Sequence, residues 1–331
     1  MGSADPGEAM KSTIVIPNYN GIKYLENCLS SIREDTEEHP ARIIVVDNGS
    51  TDGSAEAAER TEGVQVIRMG ENTGFCRAVN AGILASDTPY VILLNNDLTI
   101  DKGFVRAMEE ALERDEKAFS AGAQMRMMRE PDRMDNAGDY YCALGWAYDY
   151  GKGKKASKRY ESARKVFAAC GGAAIYRRSI LEEIGLFDER HFAYLEDVDI
   201  GYRAGIYGYH NLYEPKAVVY HAGSAASGSR YNEFKINLSS ANSIYLIEKN
   251  MPFLQVVVNL PLLAAGFCIK ALFFWKKGFG KIYLRGLMRG FRIYYKEGGR
   301  EMHVPFRWKH LGNYLRIQWE LWINIIRRFL G

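Results

Sequence analysis

Four places in the sequence set chemically active side chains where an apolar or β-branched run stops. Tyr90 to Leu94 gives way to Asn95-Asn96-Asp97, and Arg42 to Val46 to Asp47. Ala217 to Tyr220 ends at His221, and Tyr194-Leu195 leads into Glu196-Asp197, with Asp199 just beyond. A carboxylate projecting from the carboxyl end of a parallel strand can hold a hard cation against phosphate oxygens. Two adjacent carboxylates raise one another's pKa, which favours a base that works near neutrality. Each place also has a plainer reading. Asp47-Asn48-Gly49-Ser50 and Asn96-Asp97-Leu98-Thr99 are turn sequences, acids favour helix N-termini, and a lone histidine at a strand end is often structural.

The elements that must position these groups follow a repeating order. Ser12 to Pro17 reads as a strand, Asn18 to Gly21 as a loop, and Ile22 to Arg33 carries apolar residues at helical spacing. Arg42 to Val46, the loop Asp47 to Ser54 and a helix from Ala55 to Arg60 repeat the unit; Val64 to Arg68, the loop Asn72 to Phe75 and Cys76 to Ala85 repeat it again. Val91 to Leu94 is a fourth strand, apolar without alternation, as expected where both faces are covered. The spacing predicts an α/β domain with a doubly wound, mostly parallel, Rossmann-like sheet. Its loops gather at one edge, and neither a GxGxxG nor a GxxxxGK[ST] cradle is present, so a nucleotide would be held in another way.

These residues carry a resemblance. IVIPNYNG, VVDNGSTDGS, ENTGFCRAVNAG and LLNNDLTI, followed by FAYLEDVDIGYR and VVYHAG, resemble in order the motifs of family 2 glycosyltransferases of the GT-A fold, in the group of bacterial rhamnosyltransferases and galactofuranosyltransferases. The likeness runs from Ser12 to Gly223. It implies an inverting transferase that moves a sugar from a pyrimidine nucleotide-sugar, a dTDP- or UDP-sugar with dTDP-rhamnose leading, to a lipid-linked or polysaccharide acceptor. Asp197 matches the general base, with Glu196 orienting the acceptor beside it. Asp47 matches the carboxylate that reads the nucleobase, with Pro17, Tyr19 and Asn20 lining the same pocket; Asn72, Gly74, Arg77, Asn80, Asn95 and Asn96 match donor-contacting positions. A divalent cation, Mg²⁺ or Mn²⁺, is implied at Asp97 and His221, with Asn95 a further candidate ligand. Asn95 stands where the family's Asp-x-Asp has its first aspartate, which weakens the expected metal site. Rival readings are a non-catalytic nucleotide-sugar or glycan-binding scaffold and a transferase using a UDP-sugar; a nucleotidyltransferase lacks its Gly- and Lys/Arg-rich triphosphate loop.

Acceptor contacts are expected at Gly171 and Gly172, where a backbone without side chains admits a sugar, and at Trp146, within the aromatic series Trp146, Tyr148 and Tyr150. Met125 to Tyr160 is poorly periodic, and Gly151 to Lys158 reads as a mobile basic loop. Ordinary core packing is an equal reading for those aromatics. Asp199 and Arg203, one helical turn apart, are expected to pair on a helix surface.

Charge divides the chain. Residues 251–331 hold 14 Lys and Arg against 3 Asp and Glu, whereas the rest hold 29 against 37. A basic tail points to an anionic partner. Phe253 to Trp275 is apolar enough to span a bilayer but is interrupted by Gln255, Asn259, Pro261 and Lys270, which favours an in-plane or re-entrant segment over a true span. Leu311 to Leu330 is amphipathic, with Leu311, Leu315, Trp322, Ile325, Ile326 and Phe329 on one side and Asn313, Arg316, Glu320, Asn324 and Arg327 on the other. The resulting expectation is a leader or expression remnant at 1–10 and a catalytic domain at 11–249, split into a nucleotide-sugar half at 11–124 and an acceptor half at 125–249. A helical membrane-association region then covers 250–331. The partner is then an anionic membrane surface, not nucleic acid, at the cytoplasmic face; a homo-oligomer is left open. Five scattered cysteines without metal-ligand spacing read as reduced thiols, and Met1 to Met10 lacks the basic and apolar regions of a signal peptide.

Overall fold

A computed structural model describes residues 10–223 and 231–330; the expected leader therefore lies almost wholly outside the described residues. Strand β1 (Ser12–Asn18), helix α1 (Ile22–Thr36), β2 (Arg42–Asp47), α2 (Ser54–Glu59), β3 (Val64–Arg68), α3 (Phe75–Ala85) and β4 (Tyr90–Leu94) form the alternating half that the periodicity predicts. Next come β5 (Leu98–Ile100), α4 (Phe104–Glu113), β6 (Ala118–Met127), β7 (Glu130–Asn136), β8 (Asp139–Cys142) and β9 (Trp146–Asp149). The rest is β10 (Arg164–Val166), β11 (Ala173–Arg177), α5 (Arg178–Ile184), α6 (Glu196–Tyr207), β12 (His210–His221), α7 (Glu233–Asn250), α8 (Phe253–Lys276), α9 (Gly280–Lys296) and α10 (Leu311–Leu330).

One large sheet runs β10-β12-β6-β11-β4-β1-β2-β3, with β5 added against β12 and β7 against β6. β1 pairs in parallel with β2 and β4, and β6 with β12, whereas β11 runs antiparallel between β4 and β6. The sheet is therefore mixed: β1 to β4 form a parallel block, and the antiparallel pairs gather around β11, β12 and β6. β4 is buried on both faces, which is why its sequence is continuously apolar. Ile14, Ile16, Ile92 and Leu94 pack toward α1 and α4, while Val15, Val91 and Leu93 pack toward α3, α5 and α6. The period-2 alternation thus feeds two separate cores.

Between Met125 and Tyr160 the expected irregular stretch contains β7 and the small β8-β9 hairpin. Their pattern is hard to read because β7 pairs with β6 through two register shifts and β9 is half-exposed throughout. The basic loop is tied down in part, with Arg133 Nη1 donating to the Gly153 carbonyl at 2.8 Å.

The C-terminal helices reverse ordinary amphipathicity. On α10, Tyr314, Ile317, Leu321 and Asn324 are buried, while Leu315, Trp319, Ile326 and Phe329 lie outside. Asn324, on the side opposite the apolar residues, donates to the Tyr141 carbonyl (2.9 Å). Asn313 and Arg316 likewise turn inward, to the Ile206 and Gly205 carbonyls. Helix α8 does the same: Gln255 and Asn259 are buried, Asn259 exchanging hydrogen bonds with Gln318, whereas Phe253, Leu254, Leu260, Leu272 and Trp275 are exposed. Asn259 and Asn324 are satisfied inside and Gln255 accepts from Tyr202 Oη at 2.7 Å, while the apolar stripes face out.

Candidate active site

The carboxyl edge of the sheet collects the expected donor residues through hydrogen bonds among their own side chains. Asn18, at the end of β1, donates to Asp47 (3.1 Å) and accepts from Asn96 (2.7 Å), joining the ends of β1, β2 and β4. Gly21 follows from that junction: a Cβ there would lie 2.1 Å from the Asn96 amide nitrogen. The second Asp47 oxygen accepts from the Ser50 backbone at 3.2 Å, so the turn reading and a base-reading role use the same carboxylate, whose lone pairs are not exhausted by two donors. Tyr19 and Asn20 are exposed beside it, Asn20 in the left-handed region at φ 51° and bonded to Thr51. Pro17 is half-buried in β1. Asn72 caps its own turn through Gly74 and contacts Asn48. Asn80 is committed to the Phe187 backbone in both directions, and Arg77 stands exposed 3.9 Å from Glu189.

At the end of β12, His221 Nε2 lies 3.2 Å from Asp97 Oδ1, and its Nδ1 lies 2.7 Å from Asp135 Oδ2. Burial disfavours the imidazolium, but its hydrogen bonds to the Asp135 and Asp97 carboxylates outweigh it and raise the His221 pKa to about 9. The donor set suits a divalent ion. Two ligands on adjacent positions of an octahedral cation lie about 3 Å apart, close to the Asp97–His221 separation, and a carboxylate behind the histidine fixes its tautomer. Asp135 is that carboxylate, and it was not anticipated from the sequence. It is in turn 3.5 Å from Lys152, in the basic loop.

The strip Gly171-Gly172 connects this end to the acidic motif. The Asn95 backbone N–H donates to the Gly172 carbonyl at 2.8 Å, and its side chain faces the Gly172 α-carbon. Both glycines are buried: a Cβ on Gly171 would touch Phe75 and Asp197 at 3.7 to 3.9 Å, and one on Gly172 would press on the Asn95 amide nitrogen at 3.1 Å, so the missing side chains let Asn95 and Asp197 lie against this strip of backbone.

Glu196 and Asp197 open α6 after a strained approach: Phe192, Tyr194 and Leu195 all take positive φ, at 60°, 73° and 67°. Each such residue costs on the order of 1–2 kcal/mol. Asn242 of α7 offsets that cost by donating to the His191, Ala193 and Tyr194 carbonyls at 2.9, 2.9 and 2.8 Å. Burial, then the Asp197 charge, raise Glu196 to about 8, and one of its oxygens is buried without a partner. Burial also raises Asp197, against hydrogen bonds from Asp139 and the Val198 N–H. Asp139, on β8, is the second unanticipated residue. Burial and the charges of Asp197 and Asp149 push it well above the carboxylate range, so it carries the proton that Asp197 accepts. Asn136 holds the other end of Asp139 at 2.6 Å. Asp139, Cys170 and Asp197 place one oxygen or sulfur each within 4.8 Å of one another. A sequence signal for these groups existed in Asp135-Asn136-Ala137-Gly138-Asp139, where Gly138 at φ 107° turns β7 into β8.

Trp146 lies apart from this constellation; its indole donates to the Gly266 carbonyl of α8 at 3.1 Å. Asp199 and Arg203 pair at 3.1 Å, but in the interior rather than on a surface. Lys249 explains the difference: it bridges Asp199 (2.9 Å) and Asp188 (2.8 Å) and makes a buried charged cluster possible.

The sequence profile described as "Glycosyl transferase family 2" matches residues 13–185. The chain belongs to this family. This family 2 glycosyltransferase is 32% identical over 240 residues to the N-acetylglucosaminyl-diphospho-decaprenol L-rhamnosyltransferase of Mycobacterium tuberculosis, covering 65% of this chain and 77% of the relative. It is 27% identical over 214 residues to the succinoglycan biosynthesis protein ExoA of Rhizobium meliloti, covering 62% of each. Among solved structures, GalNAc-T7 with UDP, GalNAc and Mn²⁺ superposes at a TM-score of 0.59 with 16% identity over 74% of this chain, which spans 48% of that protein. The mannosyltransferase PcManGT of Pyrobaculum calidifontis, with GDP-Man and Mn²⁺, superposes at 0.54 with 16% identity, covering 88% of this chain and 89% of its own. These likenesses establish the GT-A fold of this glycosyltransferase.

Proposed function

We propose that this glycosyltransferase transfers a sugar, with inversion, from a pyrimidine nucleotide-sugar to a lipid-linked acceptor at a membrane surface. The observation that carries the reading is the placement against the Gly171-Gly172 backbone of Asn95, from the end of β4, on one side and of Asp197, hydrogen-bonded by Asp139, on the other. The acceptor hydroxyl enters over the strip and gives its proton to the Asp197 carboxylate. Its oxygen bonds to the sugar C1 as the C1–O bond to the diphosphate breaks on the opposite face. Asp47 reads the base, and an acceptor carboxylate favours an imide N–H such as that of uracil or thymine. Asp97 and His221 would hold a divalent cation, with Asn95 beside them; bound there, the ion neutralises the leaving diphosphate.

The rhamnose donor and a lipid-diphosphate acceptor are proposed because the mycobacterial relative's name specifies both. Membrane apposition is supported by the reversed helices: α8 is long and apolar enough to cross a membrane, yet its buried Gln255 and Asn259 face protein and its apolar residues face out along one side. That arrangement suits an interface more than a span. The test is transfer from a panel of dTDP- and UDP-sugars to a synthetic lipid-diphosphate N-acetylglucosamine. Rhamnosyl product that vanishes in Asp197→Asn fits the reading; undiminished turnover by that variant removes the base assignment. Flotation of Leu315→Ser/Trp319→Ser with vesicles tests the surface, and undiminished flotation removes the membrane assignment.

A further inference from the structure

On the far side of β8 from the acidic pair lies a cavity of about 420 Å³. Adjacent strand residues point to opposite faces. Asp139 turns toward Asp197, and its neighbour Tyr140 lines this cavity. Four cations surround it, Arg159, Arg164 and Lys165 from the segment around β10 and Arg327 from α10, with no carboxylate among the described lining residues. The Glu320 carboxyl is near Lys165 and Arg327, but Arg316 pairs with it at 3.9 Å.

The cations are held in place by ring faces rather than by carboxylates. The Arg164 guanidinium lies 4.9 Å from the Tyr213 ring centre and 5.2 Å from that of Tyr150; Arg159 sits 5.2 Å from Tyr150, and Arg327 5.5 Å from Tyr140. Such stacking orients the positive charge without neutralising it. Arg164 donates one N–H to the Arg159 carbonyl at 2.7 Å, while its Nε is buried with no acceptor. A buried donor left unpaired is costly, and four like charges around one cavity repel. Both penalties are relieved by the same ligand chemistry, a phosphate oxygen cluster.

The remaining lining indicates where that phosphate comes from. Ile323 and Ile326 of α10 complete the wall, and Ile326 belongs to the outward apolar stripe with Leu315, Trp319 and Phe329. The cavity therefore meets the surface assigned to the bilayer at headgroup depth. We infer that it is a binding site for the phosphate headgroup of an anionic membrane lipid, distinct from the sites for donor and acceptor. This rests on the membrane reading above and adds a specific recognition site to it.

The test uses the full chain and vesicles of phosphatidylcholine with and without phosphatidylglycerol. Phosphatidylglycerol is expected to raise binding, and Lys165→Gln/Arg327→Gln, both exposed, to abolish that increment, roughly tenfold or more. Lys154→Gln/Lys155→Gln, which removes the same charge elsewhere, is expected to keep it. Equal loss in both pairs means diffuse electrostatics and overturns the site. Dihexanoylphosphatidic acid is expected to raise the melting temperature of the wild type but not of Lys165→Gln/Arg327→Gln; equal protection by inorganic phosphate overturns the lipid assignment. Failure to bind any vesicle with dihexanoylphosphatidic acid protection intact overturns the membrane reading while sustaining the phosphate site.

Discussion

The carboxyl of Asp139 on β8 donates a hydrogen bond to the carboxylate of Asp197 at the start of α6. A neutral acid beside the base lowers the base's pKa and leaves one negative charge between the two. Asp139→Ala should therefore move the acidic limb of the kcat/KM profile to higher pH, whereas Asp139→Asn, which keeps a donor, should leave it close to the wild type. Asp197→Asn should lose about 10²- to 10⁴-fold in kcat. An unmoved limb in Asp139→Ala would dissociate the two residues functionally.

Cation dependence should follow the chain Asp97–His221–Asp135. Asp135→Asn leaves both proposed ligands in place but removes the group behind the histidine, and should raise the Mn²⁺ concentration for half-maximal activity about 10- to 100-fold. Asn95→Asp should lower it by adding a charged oxygen at the strand end. Titrations of the chelator-treated enzyme measure both, and identical curves for wild type and Asp135→Asn would count against this site.

Glu196 predicts a pH-dependent stability. Its pKa rises from 4.5 to about 8 on folding, so its contribution is complete below pH 4.5 and is lost as pH climbs through 8. Glu196→Gln should thus gain stability relative to wild type as pH rises between those limits, levelling off above pH 8 at on the order of 5 kcal/mol. Melting temperatures of the pair at pH 5 and pH 9 decide it; a constant difference contradicts the assignment.

Lys249 is buried between Asp188 and Asp199, both held low because it and, for Asp199, Arg203 outweigh the cost of their burial. Lys249→Met leaves that cluster short of a cation and should cost about 3–5 kcal/mol. Asp188→Asn in the same background should restore part of the loss, and chemical denaturation reads both. No recovery in the double variant would argue that Lys249 acts by packing alone.

The alternating half of the fold was legible because each unit announces itself: β4 is apolar on both faces, and Asn18, Asp47 and Asn96 stop their strands at a common edge. Asp97 and His221, read as partners across 124 positions of sequence, do meet. Asp135 and Asp139 escaped notice because their importance comes from β7 and β8, whose short, shifted strands leave no periodic trace. The surface assignment of Asp199 and Arg203 failed for a related reason. Helical spacing identified the pair, but only the distant Lys249 makes its burial tolerable. On α10 the sequence pattern separated the two sides, and the apolar residues Leu311, Leu315, Trp322, Ile326 and Phe329 are indeed exposed; what it could not show is that Asn324 on the other side is buried against Tyr141.

The pairing of β6 with β12 and the placement of Lys249 have a consequence for how the chain is made. Ser120 on β6 bonds to Asn211 on β12, 91 residues later, and Asp188 meets its cation only 61 residues after itself. Contacts so far apart in sequence close slowly and late. A nascent chain that has emerged only through α6 holds its acidic motif without the lysine, without the Asn242 clamp and without α10 over the β8-β9 hairpin. The surroundings of the acidic motif are thus completed only when α7 to α10 have been made.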